Sequence, residues 1–131
     1  MVLAKALWAA RRFGKGSGGA ARFVLRYTAP AGIAVTVGHL DFSDGVWTFR
    51  YDDEYKSRPD LRPIEGFDEL ERVYSSKVLF PFFAVRIPDV ERDDVRRRLK
   101  HDRIRDPELT DLLRIFGRQV VSSPSFELVP A

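Results

Sequence analysis

Two stretches of this sequence have the composition of a ligand site. Residues 14–19 contain four glycines, as a phosphate-binding loop does, but no Lys-Ser or Lys-Thr pair follows them at the required spacing. Asp52, Asp53 and Glu54 could offer carboxylates to a metal ion, yet consecutive residues in a turn point apart and lack the spacing of a calcium-binding loop. We therefore predict a flexible linker at the first stretch and a solvated turn at the second.

Nucleophilic and acid–base catalysis have few candidate residues. The chain has no cysteine, only two histidines, His39 and His101, and no Gly-x-Ser-x-Gly turn. Residues 39–45 bear a superficial likeness to two protein-kinase motifs, but the two would overlap in one hairpin, and the lysine and asparagine that accompany them are absent. Neither histidine has an acidic partner at ligand spacing, so no zinc site is expected. These observations predict a protein that is not an enzyme and that needs no metal or cofactor.

Positive charge is concentrated at the start of the chain. The net charge is +3, yet the first 40 residues carry six cations and no acid. Such a segment could meet nucleic acid, an anionic membrane surface or an acidic protein, and a solvated basic helix is the plainer alternative. A second basic run, residues 96–101, is surrounded by acids, which weighs against a nucleic-acid contact there. The candidate nucleic-acid contacts are Lys5, Arg11, Arg12 and Lys15.

The elements that must position these residues begin with a sheet. At 131 residues, of which 44% are hydrophobic, the chain suffices for one domain with an ordinary core. Apolar and polar residues alternate in several segments, and the apolar parity changes around Gly38-His39, which predicts a bulge. Ser43-Asp44-Gly45 is typical of a hairpin turn. The predicted strands are residues 22–27, 33–42, 46–51 and 119–128.

Helical spacing of apolar residues appears in shorter segments. The predicted helices are residues 2–13, 80–87, 93–99 and 107–116. The third would be supported by the pairs Asp93–Arg97 and Asp94–Arg98. The fourth would be capped by Asp106 and end at Gly117.

Several short motifs occur in a fixed order through the middle of the chain. They are Asp44-Gly45-Val46-Trp47-Thr48-Phe49-Arg50-Tyr51-Asp52, Arg62-Pro63-Ile64, Tyr74-Ser75, Leu79-Phe80-Pro81-Phe82-Phe83 and Ile87-Pro88. Their order resembles the N-terminal subdomain of HipA-type serine/threonine kinase toxins, over about residues 22–129. In that family the subdomain precedes a kinase core, and it also occurs as a separate small protein, HipS, in three-component toxin–antitoxin operons. The chain stops at Ala131, where the kinase would begin, so we expect no kinase residue here.

The resemblance implies an antitoxin-like protein that binds a HipA-like kinase beside a helix-turn-helix DNA-binding protein. We expect this non-catalytic module to modulate the kinase and to be cytoplasmic, without membrane contact. A nucleic-acid-associated basic module is the alternative, and an orphan structural domain is a third. Three phenylalanines within four residues, 80–83, exceed what one helix face can bury, so aromatic anchors are expected at the interface. The predicted partner-binding residues are Trp47, Tyr51, Tyr55, Phe80, Phe82, Phe83 and Arg86.

The predicted fold is α+β. A small curved antiparallel sheet, with two or three C-terminal helices packed on it, would form a domain over residues 21–131. Residues 1–20 would form a short basic helix on a flexible Gly-rich linker.

Overall fold

The structure is a computed structural model that describes residues 19–120 and 124–131. Within these residues the chain forms one five-stranded antiparallel sheet and four helices, which confirms the predicted α+β class. The predicted amino-terminal helix, and the predicted linker except for its last residue, lie outside the described residues. The strands are β1 (Ala21–Thr28), β2 (Ala34–Ser43), β3 (Val46–Tyr51), β4 (Tyr74–Ser76) and β5 (Phe126–Pro130). The helices are α1 (Asp53–Lys56), α2 (Pro81–Ala84), α3 (Asp93–His101) and α4 (Leu109–Phe116).

The sheet is open, with strand order β4-β3-β2-β1-β5, so β4 and β5 are its edges. Its centre is the β2–β3 hairpin, whose turn lies where the sequence predicts it. Asp44 and Gly45 have φ values of 51° and 76°. Positive φ at both central residues is the geometry of a type I′ turn, which matches the twist of the flanking strands. The Asp-Gly pair suits it because both residues tolerate this conformation.

The predicted bulge in β2 is confirmed one residue before its expected position. Leu25 of β1 pairs with Gly38, but the next residue, Arg26, pairs with Thr36, so Val37 is the extra residue. Because of the inserted residue, the side chains of β2 that face the core have odd numbers before the bulge and even numbers after it. Consequently Val35 and Val37 in its first half and Leu40 and Phe42 in its second half are all buried. The carbonyl oxygen of Val37 is satisfied by the amide of Asp52, at 2.8 Å.

The core lies between one face of the sheet and the carboxyl-terminal helices. Paired strand residues share a face, and the row Phe23, Leu40 and Phe49 across β1, β2 and β3 is almost completely buried. The helices α2, α3 and α4 contribute apolar side chains to the same cluster. These are Phe83, Ala84, Val95, Leu99, Leu109, Leu112 and Leu113.

The helix boundaries and pairings differ from the predicted ones in three places. The predicted helix over 80–87 is one turn, α2, although Ile87 beyond it is buried as expected. The pairs predicted within α3 are wrong, because Arg92 pairs with Asp94 and Arg98 with Asp102.

The start of α4 is the third difference. The helix begins at Leu109, with Glu108 as its N-cap, and not at Pro107 after Asp106. A capping box fixes this start, since the amide of Glu108 donates to the carboxylate of Asp111 at 3.0 Å. The predicted end at Gly117 is confirmed.

Two strands were less well predicted. The strand β4 was not predicted, because Tyr74-Ser75-Ser76 has no run of alternating apolar residues. The last strand runs over Phe126–Pro130, nearer the end of the chain than the predicted 119–128.

Candidate partner-binding surface

Three of the six aromatic residues predicted from sequence have rings that pack around one other ring, that of Phe67. Its centroid lies 5.2 Å from that of Phe80, 6.4 Å from Phe82 and 6.0 Å from Phe83. It also lies 4.5 Å from Phe49 in β3. Phe67 was missed in the sequence because it stands alone in an irregular segment. The three phenylalanines around α2 therefore belong to a network of rings that joins α2 to the sheet.

Four of the predicted anchors are core residues, which corrects their proposed role as direct contacts. Trp47, Tyr51, Tyr55 and Phe83 expose 1%, 2%, 3% and 0% of their surfaces. A partner cannot reach side chains buried to this extent in the folded domain. Alternation along β3 marks the side chains that share a face, but whether that face is covered depends on helices distant in sequence.

Phe80 and Phe82 remain partly exposed at the border of the core. The ring of Phe82 packs edge-on against Phe126 of β5, with centroids 5.6 Å apart. The guanidinium carbon of Arg86 lies 5.6 Å from the centre of the same ring, within the range of a cation–π contact. Of the predicted aromatic anchors, these two are the ones that a partner could touch.

Arg86 is a structural residue and not a surface contact, which is a second correction. It is 4% exposed, and its guanidinium donates hydrogen bonds to the carbonyl oxygens of Gly117, Arg118 and Phe126 at 3.2, 3.2 and 3.4 Å. Its Nε has no hydrogen-bond partner in the described residues. Burial lowers the pKa of Arg86 to about 10. The side chain thus joins the segment after α2 to the end of α4 and to β5.

The hydroxyls of two buried tyrosines hold the irregular segment 57–73 on the sheet. Tyr51 donates to the carbonyl oxygen of Phe67 at 2.6 Å and accepts from the amide of Ile64 at 2.9 Å. Tyr55 donates to the carbonyl oxygen of Arg62 at 2.5 Å. Burial raises the pKa of Tyr51 to about 12 and also raises the pKa of Tyr55. These contacts position the chain that leads into β4.

Two of the three consecutive acids, Asp52 and Glu54, have structural partners. Asp52 caps α1 by accepting from the amide of Glu54, and its other oxygen lies 2.8 Å from Nε2 of His39. This hydrogen bond lowers the pKa of Asp52. Glu54 accepts from the backbone amide of Thr36 at 2.9 Å. Among residues 19–120 and 124–131, no cluster of His, Cys, Asp and Glu has the arrangement of a metal site.

An exposed sheet edge is the surface best suited to a partner. We call residues 73–78 the β4 edge. Val73 and Val78 flank β4 and expose 60% and 46% of their surfaces, so a large apolar side chain is exposed at each end of this edge strand. The strand pairs with β3 on one side only, so its outer backbone groups can pair with an added strand. Val73 also borders a hollow of about 160 Å³ lined by Leu70 and Arg72.

A sequence model of the HipA N-terminal domain matches residues 34–122. The chain belongs to the HipA N-terminal domain family. The predicted resemblance is thereby confirmed, over a shorter range than the expected residues 22–129. No curated protein and no solved structure matches the chain.

The part that matches the HipA N-terminal domain contains β2, β3, β4 and all four helices. The seven predicted partner-binding residues and the β4 edge fall inside it. Lys5, Arg11, Arg12 and Lys15, the predicted nucleic-acid contacts, fall outside both the match and the described residues. None of the helices described in this HipA-family chain is long and apolar enough to cross a bilayer.

Proposed function

We propose that this chain is a non-catalytic interaction module that binds a HipA-type serine/threonine kinase and modulates its activity, as an antitoxin does. The observation that carries the proposal is the exposed, valine-flanked β4 edge within a domain of the HipA N-terminal family. Membership in the family supports the identity of the partner. The β4 edge supports the manner of binding.

In this proposal an extended segment of the kinase adds a strand to β4. The backbone amides and carbonyls of Tyr74–Ser76 supply the hydrogen bonds, and Val73 and Val78 pack against apolar side chains of the added segment. Lys77 lies between β4 and Val78 and is exposed. A lysine at an edge opposes pairing of two identical edges, so the edge favours a different protein over a second copy.

The proposal extends to the surroundings of the complex. A helix-turn-helix DNA-binding protein would be a third member, and contact with DNA would then pass through that protein. The interaction would occur in the cytoplasm, where a kinase meets its nucleotide.

Capture of the kinase tests the proposal. The tagged full chain is co-expressed with a HipA-type kinase, and the amount of co-purified kinase is measured. Val73→Asp and Val78→Asp should each reduce capture by at least about tenfold, because a charge must be buried in the contact. Ile33→Asp is the matched control: Ile33 exposes 60% of its surface, like Val73, but lies in the turn between β1 and β2.

Capture that survives both valine substitutions, in variants with unchanged circular dichroism, would remove the β4 edge from the interface. An equal loss in Ile33→Asp would point to general insolubility and also contradict the proposal. Kinase activity measured with and without the wild-type chain then reports modulation. If a saturating concentration of this protein leaves the rate of the kinase reaction unchanged, its function is limited to binding.

A further inference from the structure

A groove of about 820 Å³ runs along α3 and the segment that follows it. Its apolar lining comes from Val90, Leu99, Ile104 and Pro107. Its charged lining comes from the cations Arg96, Arg97, Lys100, Arg103 and Arg105 and the acids Glu91 and Asp93. Five cations against two acids give the groove a strong positive potential above an apolar floor.

The five groove cations differ from their neighbours in having no carboxylate partner in the part of the chain that the structure describes. None of them forms an ion pair within residues 19–120 and 124–131. Their neighbours Arg92 and Arg98 do, with carboxylates at 2.6 and 2.9 Å. Asp94 and Asp102 therefore form ion pairs with two arginines outside the groove lining. The groove cations can accordingly bind the carboxylates of a ligand. Placing like charges close together costs stability, which a complementary ligand would recover.

The conformation of Arg103 is a second, independent observation. Helix α3 ends in a Schellman motif, in which the amide of Ile104 donates to Leu99 at 2.9 Å and that of Arg103 donates to Lys100 at 3.0 Å. The motif requires a left-handed residue, and Arg103 has a φ of 60°. Glycine usually occupies this position because a side chain there is strained. Arg103 nevertheless occupies this position, and it lies in the lining of the groove.

We propose that this groove binds an acidic segment of a partner protein, with its carboxylates on the cationic rim and an aliphatic side chain on the apolar floor. Because cations outnumber acids in the lining, a complementary ligand carries negative charge. The floor favours a peptide over a nucleic acid, because none of the described lining residues is aromatic and single strands are bound largely by stacking on aromatic rings. The first 40 residues of the chain itself contain no acid, so they lack the required charge.

Binding of a defined probe tests this site. The full chain is titrated into a labelled peptide in which glutamates alternate with leucines, and fluorescence anisotropy is recorded. The double variant Arg96→Glu/Lys100→Glu should lose at least about tenfold in affinity, and binding should weaken as salt rises. Arg22→Glu/Arg26→Glu, which changes the net charge equally on β1, is the matched control and should stay within about twofold.

A separate variant tests the strained arginine without risk to folding. Arg103→Gly should raise the urea midpoint, because glycine adopts the left-handed conformation freely, and should weaken peptide binding by about threefold. A peptide with glutamine in place of glutamate should bind at least about tenfold more weakly than the acidic one. A peptide with serine in place of leucine should also bind more weakly, because it has no aliphatic side chain for the floor.

Three results would overturn the inference. These are absence of peptide binding, an equal loss in the Arg22/Arg26 control, and tighter binding of a single-stranded oligonucleotide than of the acidic peptide. An affinity unchanged by Arg103→Gly would contradict the role assigned to its charge. The site does not depend on the kinase proposal: Val73→Asp should bind the peptide as the wild type does, so the two surfaces fail or succeed separately.

Discussion

The hydroxyl of Tyr51 donates a hydrogen bond of 2.6 Å to the carbonyl oxygen of Phe67, sixteen positions later in the chain. The hydroxyl oxygen of Tyr51 in turn accepts a hydrogen bond from the amide of Ile64 at 2.9 Å. One side chain of β3 thus holds the backbone on both sides of a tight turn, and the ring of Phe67 is placed where the other aromatic rings meet it. The path of the chain into the β4 edge depends on this contact.

Tyr51→Phe should lower the free energy of unfolding by roughly 1–3 kcal/mol, because the amide of Ile64 and the carbonyl of Phe67 are left in the interior without their partner. Urea denaturation followed by tryptophan fluorescence measures the change. Tyr27→Phe is the control, since the hydroxyl of Tyr27 makes no hydrogen bond within the described residues and Tyr27 is partly exposed. Equal effects of the two substitutions would contradict the role given to Tyr51.

The alkaline pH dependence of stability should also report Tyr51. Burial raises its pKa from 10.0 to about 12, so the folded chain keeps a proton that the unfolded chain loses. The contribution of Tyr51 to the free energy of unfolding is fully present below pH 10, and it is lost as the pH rises from 10 through 12. In this pH window the free energy of unfolding of the wild type should fall by up to about 1.4 kcal/mol per pH unit more than that of Tyr51→Phe. Parallel curves for the two proteins would refute the assignment.

The acid range should report Asp52 instead. The hydrogen bond from His39 lowers the pKa of Asp52 below its ordinary value of 3.8. Its contribution is therefore present above that value and is lost as the pH falls through the lowered pKa. The wild type should be more stable than Asp52→Asn at neutral pH, and the difference should shrink in acid. A stability difference of the same size at neutral and acid pH would contradict the role given to Asp52.

Removal of the buried guanidinium should be costly. Arg86→Ala leaves the carbonyl oxygens of Gly117, Arg118 and Phe126 without their donor and opens a cavity beside Phe82. We expect a loss of roughly 2–4 kcal/mol in unfolding free energy, measured by urea denaturation. Arg58→Ala, at a partly exposed arginine paired with Asp60, should leave the midpoint nearly unchanged. A variant of Arg86 as stable as the wild type would show that the three carbonyls find other donors.

The central sheet could be predicted from sequence because local rules determine it. Alternation places Trp47, Phe49 and Tyr51 on one face, and the Asp44-Gly45 turn sets the register of the hairpin. The bulge at Val37 was predictable because the apolar parity changes across it. By contrast, β4 forms because it pairs with β3 and because the Tyr51 hydrogen bond positions the segment before it. Neither contact can be inferred from the three residues of β4 themselves.

The candidate site was harder to predict than the fold. The sequence identified a group of aromatic residues but did not show which of them lie in the core and which on the surface. Burial of Trp47 or Phe83 depends on which elements cover the sheet. Val73 and Val78 carry no periodic signal, and their exposure follows from the edge position of β4. The groove cations lie in a run visible in the sequence, but Arg103 joins them only through the turn that ends α3.

The position of β1 and β5 has a practical consequence for anyone who excises this domain. Both strands lie outside residues 34–122, yet they supply Phe23, Leu25 and Leu128 to the core, and β5 carries the Phe126 carbonyl that Arg86 binds. A fragment cut at the family boundaries would lack β1, one of the two neighbours of β2, and would expose apolar side chains of the core to solvent. The smallest autonomous folding unit is therefore longer than the homologous region, and it takes in both flanks.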